Sequence, residues 1–216
     1  MTISVNKIIY TNGMLTEPQG ALEAAKKIHH ISGIDTEVLH NGSTTYLTIG
    51  AIGKNVIGGL FALGECKLDK ALYSLGKVFK IWLNVQKKKH THAKELVGRV
   101  KAHLNENPNQ KILLIFHSQG AHIGLKALKK LGDYKDRIEV LSMGGMVHIP
   151  KHLASKVTNL SNTDDPVPNW IAGFLSEKGE VIDLGRDHAE TFFAHGADEY
   201  LKHDLTQQII SSATLS

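Results

Sequence analysis

The sequence predicts a three-layer α/β domain with a mainly parallel central sheet and helices on both faces. Three observations carry this. Short β-rich runs alternate with stretches of helical periodicity along the 216 residues. One run, Ile112 to Phe116, is continuously apolar, as a strand buried on both faces must be. The chain contains no internal repeat and no linker that would divide it, so a single domain spanning 1–216 is expected.

Ile3 to Tyr10 reads as a strand ending in the turn signal Thr11-Asn12-Gly13. Ala21, Ala24, Ala25, Ile28 and Ile31 follow at helical spacing, with Gly33 as the stop. Thr36 to Leu39 and Thr44 to Ile49 are β-rich and flank Asn41-Gly42. Apolar residues at 68, 72, 75, 79, 82 and 83 mark an amphipathic helix from Leu68 to Val85. A further helix is expected from about Ala93 to Leu104, ahead of Asn107-Pro108-Asn109. Ala121 to Leu131 reads as a helix ending at Gly132. Ile138 to Met143, Val157 to Leu160 and Val181 to Leu184 read as strands, and a last helix opens near Ala197. The Gly-rich residues 50–64 fit a cover over an apolar site or a tightly packed segment, so a lid or insertion is expected within 50–106.

Composition excludes several classes. With 42% hydrophobic and 21% charged residues the chain is neither low-complexity nor disordered in type. Its single cysteine, Cys66, permits no internal disulfide and no Cys-rich zinc module. The net charge of +4 comes mainly from lysine, without the clustered arginine of a DNA reader, so no nucleic-acid partner is expected. Lys87-Lys88-Lys89-His90-Thr91-His92 reads as a solvated basic run, with contact to an anionic membrane surface as the sharper alternative. His29-His30 and His90/His92 lack partners at ligand spacing, so no metal is expected. Gly50-Ala51-Ile52-Gly53-Lys54-Asn55 fails as a phosphate loop because Asn55 stands where Ser or Thr would bind Mg²⁺, and no cofactor is called for. No leader or spanning segment is evident, which makes a cytoplasmic protein the default expectation, with export by a signal-less route left open.

The strongest chemical signal is Phe116-His117-Ser118-Gln119-Gly120, between a buried strand and a helix. Strand, sharp turn and helix are the setting of a nucleophile elbow, where a serine hydroxyl is exposed at a strand end beside helix N–H groups. Ser118 equally suits a plain helix cap. The usual pattern has Gly where Phe116 stands, and that Gly relieves crowding between strand and helix. An acid and a histidine should follow in that chain order. Asp164 and Asp165 follow the strand Val157–Leu160, and His195 opens the last helix, with His188 and His203 as competitors. His195 would take the Ser118 proton, and the acid would orient it. The Asp pair also suits a turn before a proline. For an oxyanion hole, the N–H of Gln119 needs a second donor, for which Gly13 or Met14 after the first strand are the candidates.

At these residues the chain resembles known proteins. His117-Ser118-Gln119-Gly120-Ala121 is similar to the nucleophile segment of α/β-hydrolases. Asp165-Pro166-Val167-Pro168, with His195-x-x-x-Glu199-Tyr200, resembles the acid and histidine segments of class 3 lipases. The resemblance covers residues 110–205 and departs at Phe116. It implies an α/β-hydrolase-like fold and a serine esterase acting on a small-molecule or lipid ester, with Asp165 as the acid. Asn12-Gly13-Met14-x-Thr16 and Asn41-Gly42-x-Thr44 are similar to stretches in uncharacterised α/β-hydrolase-like proteins of chlamydia-related bacteria, which imply no activity. Phe116 argues for the second class of function, a catalytically inactive interaction module or bacterial effector.

Overall fold

The computed structural model describes residues 4–13, 16–42, 90–165, 167–171, 179–185 and 195–213. Within them the order is β1 (Val5–Thr11), α1 (Pro18–Ser32), β2 (Thr36–Leu39), α2 (90–106), β3 (Lys111–His117), α3 (Gly120–Leu128), β4 (Ile138–Met143), β5 (Lys156–Ser161), β6 (Ile182–Asp183), α4 (Ala197–Lys202) and α5 (Asp204–Ser212). The expected strand Thr44–Ile49, the expected helix Leu68–Val85, the Gly-rich segment and Lys87–Lys89 lie outside the described residues.

The six strands form one sheet in the order β2-β1-β3-β4-β5-β6, and every pairing is parallel. The chain first steps from β1 outward to β2, then returns to β1's other side and proceeds through β3 to β6. The strand order therefore reverses between β1 and β3. At such a switch point the two connections leave toward opposite faces and open a crevice beyond the strand ends.

Alternation along the central strands separates two cores. Ile112, Leu114 and Phe116 of β3 pack with α2 and α3 on one face, while Leu113 and Ile115 pack with α1, α4 and α5 on the other. These are the three layers of the α/β-hydrolase-like architecture. Helix α1 can sit close to the sheet because its buried stripe is small, Ala21, Ala24 and Ala25, with Ile28 one turn on. Pro18 opens it, and Gly33, at φ 70°, closes it by returning its N–H to the His29 carbonyl at 2.7 Å. Helix α2 buries Ala93, Leu96, Val100 and Leu104 at 1% exposure or less, so residues 90–106 belong to the core. The Arg137 guanidinium closes the end of α2, donating from one nitrogen to the carbonyls of Leu104, Asn107 and Pro108 at 2.9–3.1 Å. No helix among the described residues is long and apolar enough to cross a membrane.

Candidate active site

Ser118 follows the last residue of β3, directly at the switch point. Among the described residues it is the one non-glycine with positive φ, at 54°. This left-handed conformation costs an L-residue roughly 1–2 kcal/mol and persists only where surroundings enforce it. Here the turn is tied on both sides. The Ser118 N–H donates to the Met143 carbonyl at 3.2 Å, while its own carbonyl accepts from Ala121 and Met146 at 3.1 and 3.0 Å.

Glycines make the tight approach feasible. A Cβ on Gly13 would fall 2.6 Å from the Ser118 Cβ, and one on Gly120 would collide with the Thr11 carbonyl oxygen. Phe116, where an elbow usually has glycine, is fully buried, and its ring lies against Gly124 on α3. A Cβ on Gly124 would sit 2.7 Å from Phe116 Cδ2 and closer still to Cε2 and Cζ. The missing space at 116 is thus supplied from the helix side, one turn beyond Gly120.

The C-terminal segment brings the other groups to Ser118. His195 Nε2 lies 2.8 Å from Ser118 Oγ, and its Nδ1 lies 2.8 and 3.0 Å from the two Asp165 carboxylate oxygens. Asp165 is fully buried just past β5. It accepts further bonds from the Tyr200 hydroxyl at 2.6 Å and the Val167 N–H at 2.9 Å. Burial and the adjacent Asp165 carboxylate push the Tyr200 hydroxyl pKa up, so it remains a donor. Gly144, at φ 56°, leaves room for this pair: a Cβ there would stand 2.8 Å from Asp165 Oδ2 and 2.9 Å from the Tyr200 ring. A carboxylate holding three donors while removed from water suits the task of orienting an imidazole. Between the two aspartates, it is Asp165 that faces His195. Of the competing histidines, His188 lies outside the described residues. His203 donates to the Leu184 carbonyl at 3.1 Å and accepts the Leu205 N–H at 3.3 Å, capping α5.

Three buried amides underlie the serine. Asn12 and Asn41, at the ends of the neighbouring strands β1 and β2, are joined by the Asn41 N–H donating to Asn12 Oδ1 at 2.7 Å. Asn12 Nδ2 donates to the Gly13 carbonyl at 2.8 Å, and Asn41 Nδ2 donates to Gln119 Oε1 at 2.8 Å. All three side chains are at most 1% exposed. The network therefore fixes Gly13 and Gln119, two of the oxyanion-hole candidates; Met14 lies outside the described residues. Gln119 itself is the residue ahead of α3, where helix N–H groups favour negative charge.

His117, Tyr200, Asn12, Asn41 and Gly124 complete this arrangement; the first four stand within the sequence motifs without a chemical role there, and Gly124 stands in none of them. Asn12 and Asn41 carry a signal, since both stand in Asn-Gly pairs just past strands, Asn12 directly after Thr11 and Asn41 two residues beyond Leu39. Among the described residues, no three His, Cys, Asp or Glu side chains cluster as metal ligands.

No family model and no curated protein matches the chain, so neither the class 3 lipase resemblance nor the chlamydial one gains support from a relative. Among solved structures the chain is similar to "a novel cutinase-like protein from Cryptococcus sp.", at 14% identity over 99% of this chain and 97% of that one, with a TM-score of 0.49. The fold class rests on the parallel sheet and the helical layers on its two faces.

Proposed function

We propose that this protein is a serine hydrolase cleaving a carboxylic ester, including lipid esters, through an acyl-enzyme. The observation that carries the reading is the unbroken chain of short contacts from Ser118 Oγ through His195 to buried Asp165, at 2.8 Å each, with the serine in a strained turn at the switch point. A helix cap needs neither the positive φ nor the histidine.

In this mechanism His195 Nε2 takes the hydroxyl proton as Ser118 Oγ attacks the ester carbonyl carbon. Asp165, fixed in place by the donors from Tyr200 and Val167, orients His195 and stabilises the imidazolium. The tetrahedral oxyanion is received by the backbone N–H of Gln119 at the N-terminal end of α3, with a second donor from the sequence candidates Gly13 and Met14. Imidazolium then gives its proton to the leaving alkoxide, the alcohol departs, and the acyl group remains on Oγ. A water activated by His195 attacks this acyl-serine, releasing the carboxylic acid and restoring the serine. No cofactor enters these steps. The alternative of an inactive interaction module rests on Phe116; the hydrolase reading is supported by Gly124, whose missing side chain leaves room for the Phe116 ring.

The test is labelling by a fluorophosphonate together with turnover of p-nitrophenyl butyrate. Wild type should label and turn over. Ser118→Ala should do neither, and His195→Ala should lose turnover to a similar extent, because such groups act as a unit. Asp165→Asn should lose most activity and Asp164→Asn far less. Full turnover in Ser118→Ala would end the reading.

A further inference from the structure

His117 has no part in the steps above, although it adjoins Ser118 and its ring is buried in the site. Its Nε2 stands 2.7 Å from the backbone carbonyl oxygen of His195. A carbonyl only accepts, so His117 Nε2 carries the proton and Nδ1 presents a lone pair. That Nδ1 has no hydrogen-bond partner among the described residues. The ring lies 5.0 Å from the His195 ring, tilted by 33°, and 6.2 Å from the Tyr200 ring. A residue present only to fill space here would be apolar, since an unmatched buried nitrogen is unfavourable. The polar bond His117 does make goes to the residue that touches Ser118 Oγ.

We propose that His117 is a positioning residue: its Nε2–H tethers the His195 backbone so that one imidazole edge meets Ser118 and the other meets Asp165. This rests on the hydrolase reading. The tether joins the end of β3, which carries the nucleophile, to the segment that carries the base, so the two are located against the same strand.

The tether must be neutral to serve. During turnover His195 becomes an imidazolium, and a second cation 5.0 Å away would oppose it. The groups whose charges act on His117 are His195 itself, Asp165 past β5 and Asp198 on α4. Burial outweighs the two carboxylates and lowers its pKa to about 3. His117 therefore holds its donor throughout the working range of an esterase.

The experiment compares His117→Gln, which keeps a donor, with His117→Phe, which keeps a flat ring and loses the donor, beside Ser118→Ala. Turnover of p-nitrophenyl butyrate is followed from pH 5 to 9, and imidazole nitrogen shifts are read by NMR on the wild type. His117→Phe should lose roughly 10- to 100-fold in kcat with KM changed less than about threefold, as expected when base geometry rather than substrate binding is disturbed. Its acid limb in kcat/KM should move to lower pH, because a loosened Asp165 contact stabilises the imidazolium less. His117→Gln should recover most of the rate and the wild-type limb. The wild-type spectrum should show His117 as the neutral Nε2–H form at pH 5.

Wild-type rates in His117→Phe, with Ser118→Ala inactive, would overturn the tether alone. Equal losses in both His117 variants with an unmoved pH profile would reduce His117 to a packing residue. A protonated or Nδ1–H His117 at pH 5 would overturn the tether even if neither variant folds. Turnover that survives in Ser118→Ala would overturn the hydrolase reading and the tether together.

Discussion

Gly124→Ala is a one-methyl test of how the chain accommodates Phe116 beside its sharpest turn. The added Cβ would stand 2.7 Å from Phe116 Cδ2, about 0.7 Å inside the 3.4 Å at which ordinary contact begins, and nearer still to two other ring atoms. The ring is fully buried between the sheet and α3 and cannot swing aside. Overpacking of this kind costs about 1–3 kcal/mol, and the rigidity of both partners places it near the upper end. Replacing Gly by Ala inside a helix returns about 1 kcal/mol, so the net loss should be about 2 kcal/mol. With Phe116→Ala in place the obstacle is gone and only the helical gain remains, so Gly124→Ala should then be neutral or stabilising by up to about 1 kcal/mol. Phe116→Ala itself should cost about 3–5 kcal/mol. The double-mutant cycle over the four proteins should therefore give a coupling of about 2–3 kcal/mol. Urea unfolding followed by circular dichroism measures it, provided m is the same across the set. If Gly124→Ala costs the same with and without the Phe116 ring, Gly124 does not make room for Phe116.

Three further outcomes follow from the geometry. Tyr200→Phe removes the 2.6 Å donor to Asp165 and should cost about 1–2 kcal/mol of stability in thermal melts, and should lower kcat while Asp165 still faces His195. Asn41→Leu cuts the 2.8 Å bond to Gln119 and should slow fluorophosphonate labelling roughly tenfold with substrate KM nearly unchanged, whereas an unchanged labelling rate would detach the amide network from the oxyanion hole. Stability should fall as pH drops from about 6.5 toward 3: His117 stays neutral in the folded state until about pH 3 while the unfolded chain takes up its proton near 6.5, so protons favour unfolding. His117→Gln should flatten that part of the stability profile, and an unchanged slope between pH 6.5 and 4 would contradict the depressed value.

Much of the frame is readable from local pattern. The apolar run 112–116 sits within the central strand, the alanine stripe lies on the sheet, and Gly33 ends α1 in the left-handed conformation. Boundaries moved where local rules compete. Helix α3 ends at Leu128 rather than Leu131, because the chain tightens into turns before the 3-10 segment Gly132–Arg137. The last helix divides at His203, whose imidazole caps the second half. Ser118, Asp165 and His195 carry local signals, each following a strand or opening a helix, and the fold brings those three side chains together. The supporting contacts carry almost none. Asn41 and Gln119 stand 78 residues apart, Asp165 and Tyr200 35 apart, and His117 and His195 78 apart. Such pairs form because β1, β2, β3 and β5 end on one rim, and no periodicity within a short window encodes that meeting. The glycine substituting for the elbow glycine is likewise a pairwise fact, since Gly124 looks like any helix glycine until the Phe116 ring is laid against it.

The left-handed backbone at Ser118 sets stability against function at one residue. Glycine adopts φ 54° without steric penalty, so Ser118→Gly relieves roughly 1–2 kcal/mol of backbone strain, offset in part by the entropy a glycine loses on folding, while deleting the hydroxyl. A library of this protein sorted for heat resistance alone would therefore enrich glycine at position 118 and discard the group on which the proposed chemistry depends. Sorting on a covalent serine probe would pull the other way and retain the strained turn. Thermostable variants that keep Ser118 must draw their added stability from the cores on either side of the sheet, leaving the bend at the end of β3 as tense as it is.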